Sequence, residues 1–253
     1  MKRLLAAGSG SIYCLGKAFR AGENGQRHHP EFTLLEWYRL DWDEHQLMDE
    51  VFALVLALGA VGGGAERYVY TYKQLFETCT GLEPHCGDIS ALRDLAGETA
   101  NRDFSGEDRS TCLDLIFSLL IEPELPAGIV FVHDYPACQA ALAATTRDGD
   151  GVIVARRFEG FCDGIELLNG YYELNDADEL RKRFSEDNAQ RRLLGKAEVA
   201  ADEHLLAALD ADFPPCAGVA LGVDRLLMNL LGARDINEVL PFADFGPQPG
   251  NEP

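Results

Sequence analysis

The chain has 253 residues and a formal net charge of −20, from 42 acidic and 22 basic side chains. Hydrophobic residues make up 47% of the sequence, which is enough for a substantial core. So negative a chain is a poor partner for nucleic acid, because phosphate binding depends on lysine and arginine. The overall charge favours a basic protein as partner instead.

Seven cysteines, an odd number, occur without any CxxC pair. This pattern indicates reduced thiols in a cytoplasmic protein, and it argues against a zinc site or a disulfide framework. The apolar run VFALVLALGAV, residues 51–61, has about half the length needed to span a bilayer. We therefore expect neither a signal peptide nor a membrane segment.

The first predicted elements are two strands, residues 11–20 and 31–40, joined by the polar loop 21–30. Strand alternation places five side chains on one side: Phe32, Leu34, Glu36, Tyr38 and Leu40. Polar groups among apolar ones fit either a binding site or a solvated strand face. A helix follows, for which Asp43 and Gln46 predict a capping box.

Residues 71–128 have a mostly helical pattern, and residues 128–136 predict a short buried strand. Further helices are predicted over 177–194 and about 199–210. The tail 244–253, rich in proline and glycine, is predicted to be frayed.

The segment 151–174 predicts a β-hairpin with CDG at its turn. Period-two spacing puts Asn169, Tyr171 and Glu173 on one face, and Glu159 and Glu166 on opposite arms. These polar positions mark the hairpin as a candidate binding site.

The later stretch CAGVALGVDRLLMNLLGA predicts a strand, a glycine turn and a helix with Arg225 in its first turn. An arginine there opposes the helix dipole, which favours a functional reason for its presence. Arginines together with paired acids suit a nucleoside triphosphate and Mg²⁺. The chain has no GxxxxGK[ST] motif, so it is not a P-loop protein.

Three segments resemble the class II aminoacyl-tRNA synthetases in their lysine-type form. FRAGENGQRHHPEFTLLEWY resembles the second signature motif, GVALGVDRLLM the third, and FEGFCDGIELLNGYYELND the segment between them. The resemblance implies an α+β fold, an antiparallel sheet flanked by helices, with residues 1–253 in one catalytic domain. It is strongest to the short lysyl-synthetase paralogues that modify elongation factor P and have no anticodon-binding domain.

The resemblance also assigns roles at a nucleotide site. Arg20 should contact the α-phosphate and the substrate carboxylate, and Arg225 should lie along the adenine and reach the γ-phosphate, with Gly222 giving it room. His28 should face the triphosphate and Phe32 should stack on adenine. Further residues implied at the ATP site are Leu167 and two Mg²⁺ ligands, Glu159 and Glu166.

An amino-acid pocket is implied next to the nucleotide. Its lining would comprise Glu36, Tyr38, Asn169, Tyr171, Glu173 and Ala220. Glu173 and Tyr38 should lie near the side-chain ammonium of the substrate, because a buried ammonium needs an acid partner. Ala220 stands where lysyl-tRNA synthetases carry glycine, which suggests a preference for β-lysine over lysine.

The implied reaction is ATP-dependent activation of lysine or β-lysine, followed by transfer to a lysine side chain of elongation factor P. One alternative is a stripped lysyl-tRNA synthetase acting on tRNA, which the net charge disfavours. Another is a non-catalytic paralogue that senses an amino acid. In the family, MKRLLAAG is internal, so we expect the first motif, which forms a homodimer, and a pocket-lining Pro-Glu to be missing.

Overall fold

The computed structural model describes residues 1–60, 66–193, 195–211 and 213–242. The tail predicted to be frayed, residues 244–253, lies outside the described residues. The helices are α1 (Lys2–Ala6), α2 (Glu44–Ala57), α3 (Tyr72–Thr80), α4 (Ile89–Ala100), α5 (Arg109–Ile116), α6 (Ala177–Leu193), α7 (Glu203–Asp210) and α8 (Val223–Leu231). One π-helical turn, Phe117–Ile121, and three 3₁₀ turns, Glu122–Glu124, Ala137–Gln139 and Ile236–Glu238, complete the helical segments of this part.

The strands form one sheet in the described part of the chain. They are β1 (Ile12–Phe19), β2 (Glu31–Leu40), β3 (Arg67–Thr71), β4 (Ile129–Pro136), β5 (Thr145–Arg147), β6 (Ile153–Cys162), β7 (Ile165–Tyr172) and β8 (Cys216–Gly222). Their order is β1-β2-β8-β7-β6-β4-β3, with β5 paired to β6. Only the β3–β4 pair is parallel among these described strands. The predicted α+β class, an antiparallel sheet flanked by helices, is confirmed.

The helix and strand starts follow local chemistry. Asp43 and Gln46 form the predicted capping box at the start of α2. The helix predicted from about residue 199 begins only at Glu203, because Asp202 caps it by accepting from the backbone N–H groups of residues 204 and 205. Strand β3 was not predicted, although both strands of the first hairpin and both arms of the second were.

One face of the sheet carries the main core. Trp37, Val219 and Phe158 pack there against the apolar side of α2, which contributes Leu47 and Val51. Two further clusters lie around α3–α5 and around α1, α6 and α7. The opposite face of the central strands is thereby left for polar side chains.

Among the described residues, no helix combines the length and apolar character needed to cross a membrane.

Candidate active site

A row of side chains crosses four neighbouring strands at one level. Glu36 pairs with Ala220, Ala220 with Asn169, and Asn169 with Glu159, on β2, β8, β7 and β6. Residues paired directly across an antiparallel sheet point to the same face. The face is the one opposite Trp37 and Val219, which belong to the core. The strand pairing therefore gathers four residues distant in sequence.

A second row lies two residues further along each strand. It runs Tyr38, Gly218, Tyr171, Arg157 across the same four strands. Residues two apart share a face, so both rows line the same polar surface. Arg157 was not among the predicted site residues, although its spacing from Glu159 would have placed it there.

A β-bulge decides where Glu166 points. The pairing of β6 with β7 shifts between Gly160 and Phe161, so Phe161 faces Glu166 and Gly160 faces Leu168. Leu167 is the extra residue, and its side chain joins the core. Glu166 lies three residues before Asn169, so in a regular strand without the bulge the two side chains would point to opposite faces. The extra residue brings the Glu166 carboxylate to the site face.

A cavity of about 370 Å³ opens on this face, which we call the nucleotide cavity. Every residue predicted at the ATP site lines it: Arg20, His28, Phe32, Glu159, Glu166, Leu167, Gly222 and Arg225. The loop 21–30 covers one side and is closed by a bond from the Arg20 N–H to the Pro30 carbonyl, 2.9 Å. Arginines and carboxylates therefore line the same cavity, four of each: Arg20, Arg27, Arg157 and Arg225 with Glu23, Glu159, Glu166 and Asp224.

Arg225 is held by contacts from two segments, β7 and the loop 21–30. Its guanidinium donates to the Glu166 carbonyl at 2.9 Å and to the Glu166 carboxylate at 3.2 Å. It also donates to the Arg27 carbonyl at 3.2 Å and lies 2.6 Å from Nε2 of His28. Burial and, next, the charge of Arg225 lower the pKa of His28, which keeps the imidazole neutral and able to accept from Arg225.

Arg20 has fewer contacts than Arg225. Its side chain is 61% exposed and pairs with Glu23 at 3.2 Å. The guanidinium lies 5.5 Å from the centre of the Phe32 ring. An exposed pair of this kind holds an arginine weakly, so the guanidinium is free to turn toward a phosphate.

Glu159 and Glu166 fit the predicted metal position. Burial, opposed by Arg157 and supported by the charge of Glu166, raises the pKa of Glu159. Glu159 accepts from Tyr135 at 2.6 Å and from Arg157 at 2.5 Å. No group of three or more ligating side chains that could hold a metal ion occurs in the described ranges. A cation between these two carboxylates would need further oxygens, which a triphosphate supplies.

The space around Gly222 is ordinary in this structure. A Cβ built there would meet the Leu167 carbonyl at 3.6 Å and Arg225 at 3.9 Å, which are ordinary contacts. The local space therefore does not support the expectation that glycine is needed to give Arg225 room.

A second cavity, of about 400 Å³, adjoins the first and is called here the amino-acid cavity. All residues predicted for the amino-acid pocket line it: Glu36, Tyr38, Asn169, Tyr171, Glu173 and Ala220. Asn169 and Ala220 line both cavities. The boundary between the cavities is where an amino-acid carboxylate would meet a nucleotide phosphate.

The acids of this cavity are already partly compensated. Tyr38 donates to Glu36 at 2.5 Å, and burial followed by the charge of Glu173 raises the pKa of the Tyr38 hydroxyl. Glu173 is 2% exposed, and the Lys2 ammonium lies 2.5 Å from its Oε2. Burial raises the pKa of Glu173, and Lys2 opposes this shift. Lys2 was not predicted at the site.

Gly218 is required by the space around it. A Cβ there would lie 2.5 Å from the Tyr38 ring and 2.7 Å from Oε1 of Glu173. Such distances are far below van der Waals contact, so any side chain would displace one of the two. Gly218 therefore lets Tyr38 and Glu173 approach each other.

Comparison with known proteins agrees with this geometry. The family model described as tRNA synthetases class II (D, K and N) matches residues 1–245. A protein of Vibrio cholerae named elongation factor P–(R)-β-lysine ligase is 49% identical over 248 residues, 96% of this chain and 74% of its own length. Proteins of the same name from Vibrio vulnificus and Yersinia enterocolitica are 48% and 44% identical, with the same two coverages.

The match to the family model extends over almost the whole chain, and it includes all the segments that build the two cavities. The chain belongs to the class II aminoacyl-tRNA synthetase family, in the group that comprises the aspartyl, lysyl and asparaginyl enzymes.

Proposed function

We propose that this protein activates (R)-β-lysine with ATP and transfers it to a lysine side chain of translation elongation factor P. The observation that carries the proposal is the meeting of two cavities at Asn169 and Ala220. One cavity presents arginines and carboxylates suited to a triphosphate, and the other presents buried acids suited to an amine. The names of relatives at 44–49% identity support this substrate pair.

The first step joins two anions. A carboxylate oxygen of the amino acid attacks the α-phosphorus of ATP, the bond to the bridging oxygen breaks, and pyrophosphate leaves. Arg20 and Arg225 would offset the negative charge that develops at the phosphates. The open position of Arg20, whose side chain is 61% exposed, allows it to contact the α-phosphate.

Glu159 and Glu166, which both line the nucleotide cavity, would hold Mg²⁺. When bound, the ion would neutralise phosphate charge. What supports this role is that the pairing of β6 with β7 and the bulge at Leu167 bring both carboxylates to one face.

Glu173 and Glu36 would bind the ammonium groups of the diamino acid. Both carboxylates line the amino-acid cavity, and Glu173 is almost fully buried. A buried carboxylate gains most from a cation that also donates hydrogen bonds. Tyr38, held against Glu36, fixes the orientation of that acid.

The second step forms an amide. The amine nitrogen of the acceptor lysine attacks the carbonyl carbon of the adenylate, and the carbon–oxygen bond to AMP breaks. AMP leaves with the bonding electrons, and the nitrogen releases a proton. The net charge of −20 favours a protein acceptor over tRNA, whose phosphates it would repel. We place this reaction in the cytoplasm, where translation factors and ATP occur together.

The deciding experiment measures pyrophosphate–ATP exchange with (R)-β-lysine and with lysine, followed by transfer of the labelled amino acid to elongation factor P or to tRNA. We expect exchange that depends on the amino acid, and transfer to the protein. Exchange followed by transfer to tRNA alone would identify a stripped synthetase. Binding of the amino acid without exchange would identify a sensor.

A further inference from the structure

A third cavity, of about 230 Å³, lies beside the nucleotide cavity. Its walls come from β4, β6 and β7, from α3 and α5, and from the helical turns that follow α5 and β4. Arg157, Glu159 and Glu166 line both the third cavity and the nucleotide cavity. The third cavity therefore adjoins Glu159 and Glu166, the carboxylates proposed to face the phosphates. The other residues of its wall have no role in either reaction step described above.

One buried acceptor in this wall lacks a donor. Gln139 is 6% exposed, and its Nε2 donates to Oδ1 of Asp114 at 2.6 Å. Its Oε1 is buried, and no donor in the described part of the chain reaches it. Both residues line the third cavity. A buried amide oxygen is rarely left without a hydrogen bond, so the wall is built for a group that donates.

The charges of the cavity point to a cation. Asp114, Glu122, Glu159 and Glu166 line it, whereas Arg157 is the one basic residue lining it among those described. Burial raises the pKa of both Asp114 and Glu122, and the opposing charges of Arg157 and of Arg27, which lies 3.7 Å from Glu122, do not cancel the shifts. A group that is positively charged and donates several hydrogen bonds satisfies both needs, and a primary ammonium has this chemistry.

The cavity is one side chain away from the centre of the proposed reaction. Arg157 donates to the Gln139 carbonyl at 2.8 Å and to Oδ1 of Asn169 at 3.3 Å. Asn169 lines both the nucleotide and the amino-acid cavities, where the adenylate would form. An amine held beside Gln139 would therefore lie one side chain, Arg157, from the place where the adenylate would form.

We propose that the third cavity binds the ammonium of the acceptor lysine, with Gln139 Oε1 and Asp114 as its hydrogen-bond acceptors. This inference rests on the proposed function, which requires a lysine side chain as the second substrate. Before attack the ammonium gives up one proton to become the nucleophilic amine. The carbon–nitrogen bond then forms as the carbon–oxygen bond to AMP breaks, and the nitrogen loses a second proton.

The first test needs no catalysis. n-Butylammonium chloride is titrated into the full chain while NMR follows the side-chain amide signal of Gln139, with n-butanol as the uncharged probe. We expect a saturable shift with the amine and none with the alcohol. Asp114→Asn should weaken amine binding at least tenfold by this signal, and Gln139→Met, which removes the signal, should show the same loss when n-butylammonium binding is measured by calorimetry. The control is Asp94→Asn, an exposed acid on α4, which should bind as wild type does.

The absence of a saturable shift would overturn the proposal. So would the same shift produced by MgCl₂ alone, because the cavity would then be a metal site.

The second test follows transfer. We expect Asp114→Asn to lower the ratio of single-turnover transfer to pyrophosphate exchange at least tenfold, with elongation factor P as acceptor, and Asp94→Asn to leave it unchanged. If exchange and transfer fall together, Asp114 serves the fold or the ATP site, and the proposal is wrong. If the wild-type protein binds n-butylammonium but never transfers the amino acid to elongation factor P, the proposed function is wrong. The third cavity would then bind an amine, but not the lysine of elongation factor P.

Discussion

The ammonium of Lys2 lies 2.5 Å from Oε2 of Glu173, a carboxylate with 2% of its surface exposed. Lys2 belongs to α1, whereas Glu173 follows β7, and both side chains line the amino-acid cavity. A lysine of the chain itself therefore occupies the position proposed for the ammonium of the substrate. Substrate binding must displace this contact or share the carboxylate with it.

Replacing Lys2 by methionine should strengthen the binding of lysine and β-lysine. The substrate ammonium would no longer compete for Glu173, and we expect about tenfold tighter binding, or ~1.4 kcal/mol. Calorimetric titration of wild type and variant measures this difference. Lys2→Arg, which keeps the positive charge, serves as the control and should not gain affinity. Weaker binding by Lys2→Met would mean that Lys2 helps to hold the substrate.

Arg225→Ala should nearly abolish adenylate formation. Arg225 contacts Glu166 and His28 and lines the nucleotide cavity, so its loss removes a cation from the proposed phosphate site. Losing one such contact costs roughly 2–4 kcal/mol in the transition state. Pyrophosphate exchange measures the effect, and circular dichroism checks that the fold is kept. Near-normal exchange would remove Arg225 from the mechanism.

Glu173→Gln should weaken lysine binding far more than ATP binding. The substrate ammonium would lose its buried acid partner, at a cost of roughly 3–5 kcal/mol. The proposed ATP site is the nucleotide cavity, which Glu173 does not line. Calorimetry with each ligand separates the two effects. An equal loss for both ligands would show that the residue supports the fold rather than the pocket.

Gly218→Ala should damage the amino-acid cavity, whereas Gly222→Ala on the same strand should not. The new methyl group at 218 would lie 2.5 Å from the Tyr38 ring, while the one at 222 would meet nothing closer than 3.6 Å. We expect Gly218→Ala to lose about 1–3 kcal/mol of stability from overpacking and to lose lysine affinity as Tyr38 or Glu173 moves. Urea unfolding and calorimetry measure the two quantities. Equal behaviour of the two variants would contradict the packing argument.

Ala220→Gly should shift the preference from β-lysine toward lysine. The methyl group of Ala220 faces the boundary of the two cavities, where it would crowd an amine on the α-carbon more than one on the β-carbon. One methyl group in a tight pocket changes selectivity by about 1–3 kcal/mol. Exchange rates with both isomers give the ratio. If the ratio stays the same in the variant, selectivity is set elsewhere in the cavity.

Local patterns were sufficient to predict much of this site. Period-two spacing placed Asn169, Tyr171 and Glu173 on one face, and the strand pairing brings that face to Glu36 and Tyr38. The resemblance named the segments that meet, which spacing alone could not do. The roles of these residues stay predictions until the variants are measured.

Other features could not be derived locally. The position of Lys2 depends on how α1 packs against α7, which is a tertiary contact between distant segments. The β3 strand follows a glycine-rich stretch and pairs in parallel with β4. A parallel pair is not joined by a hairpin turn, so the sequence has no turn motif from which this strand could be predicted. The face of Glu166 depends on its register with β6, which its own neighbours in sequence do not reveal.

At the bulge at Leu167, the alternation of β7 side chains between the two faces of the sheet shifts by one residue. Beyond it, odd-numbered residues of β7 face the site; before it, the even-numbered Glu166 does. Deleting Leu167 would restore strict alternation and keep Glu166 on the site face, two residues from Asn169, whereas keeping Leu167 without the bulge would turn the Glu166 carboxylate toward the core. Residue count and backbone register are therefore coupled in this hairpin, and a redesign of the site must either keep both Leu167 and its bulge or remove both.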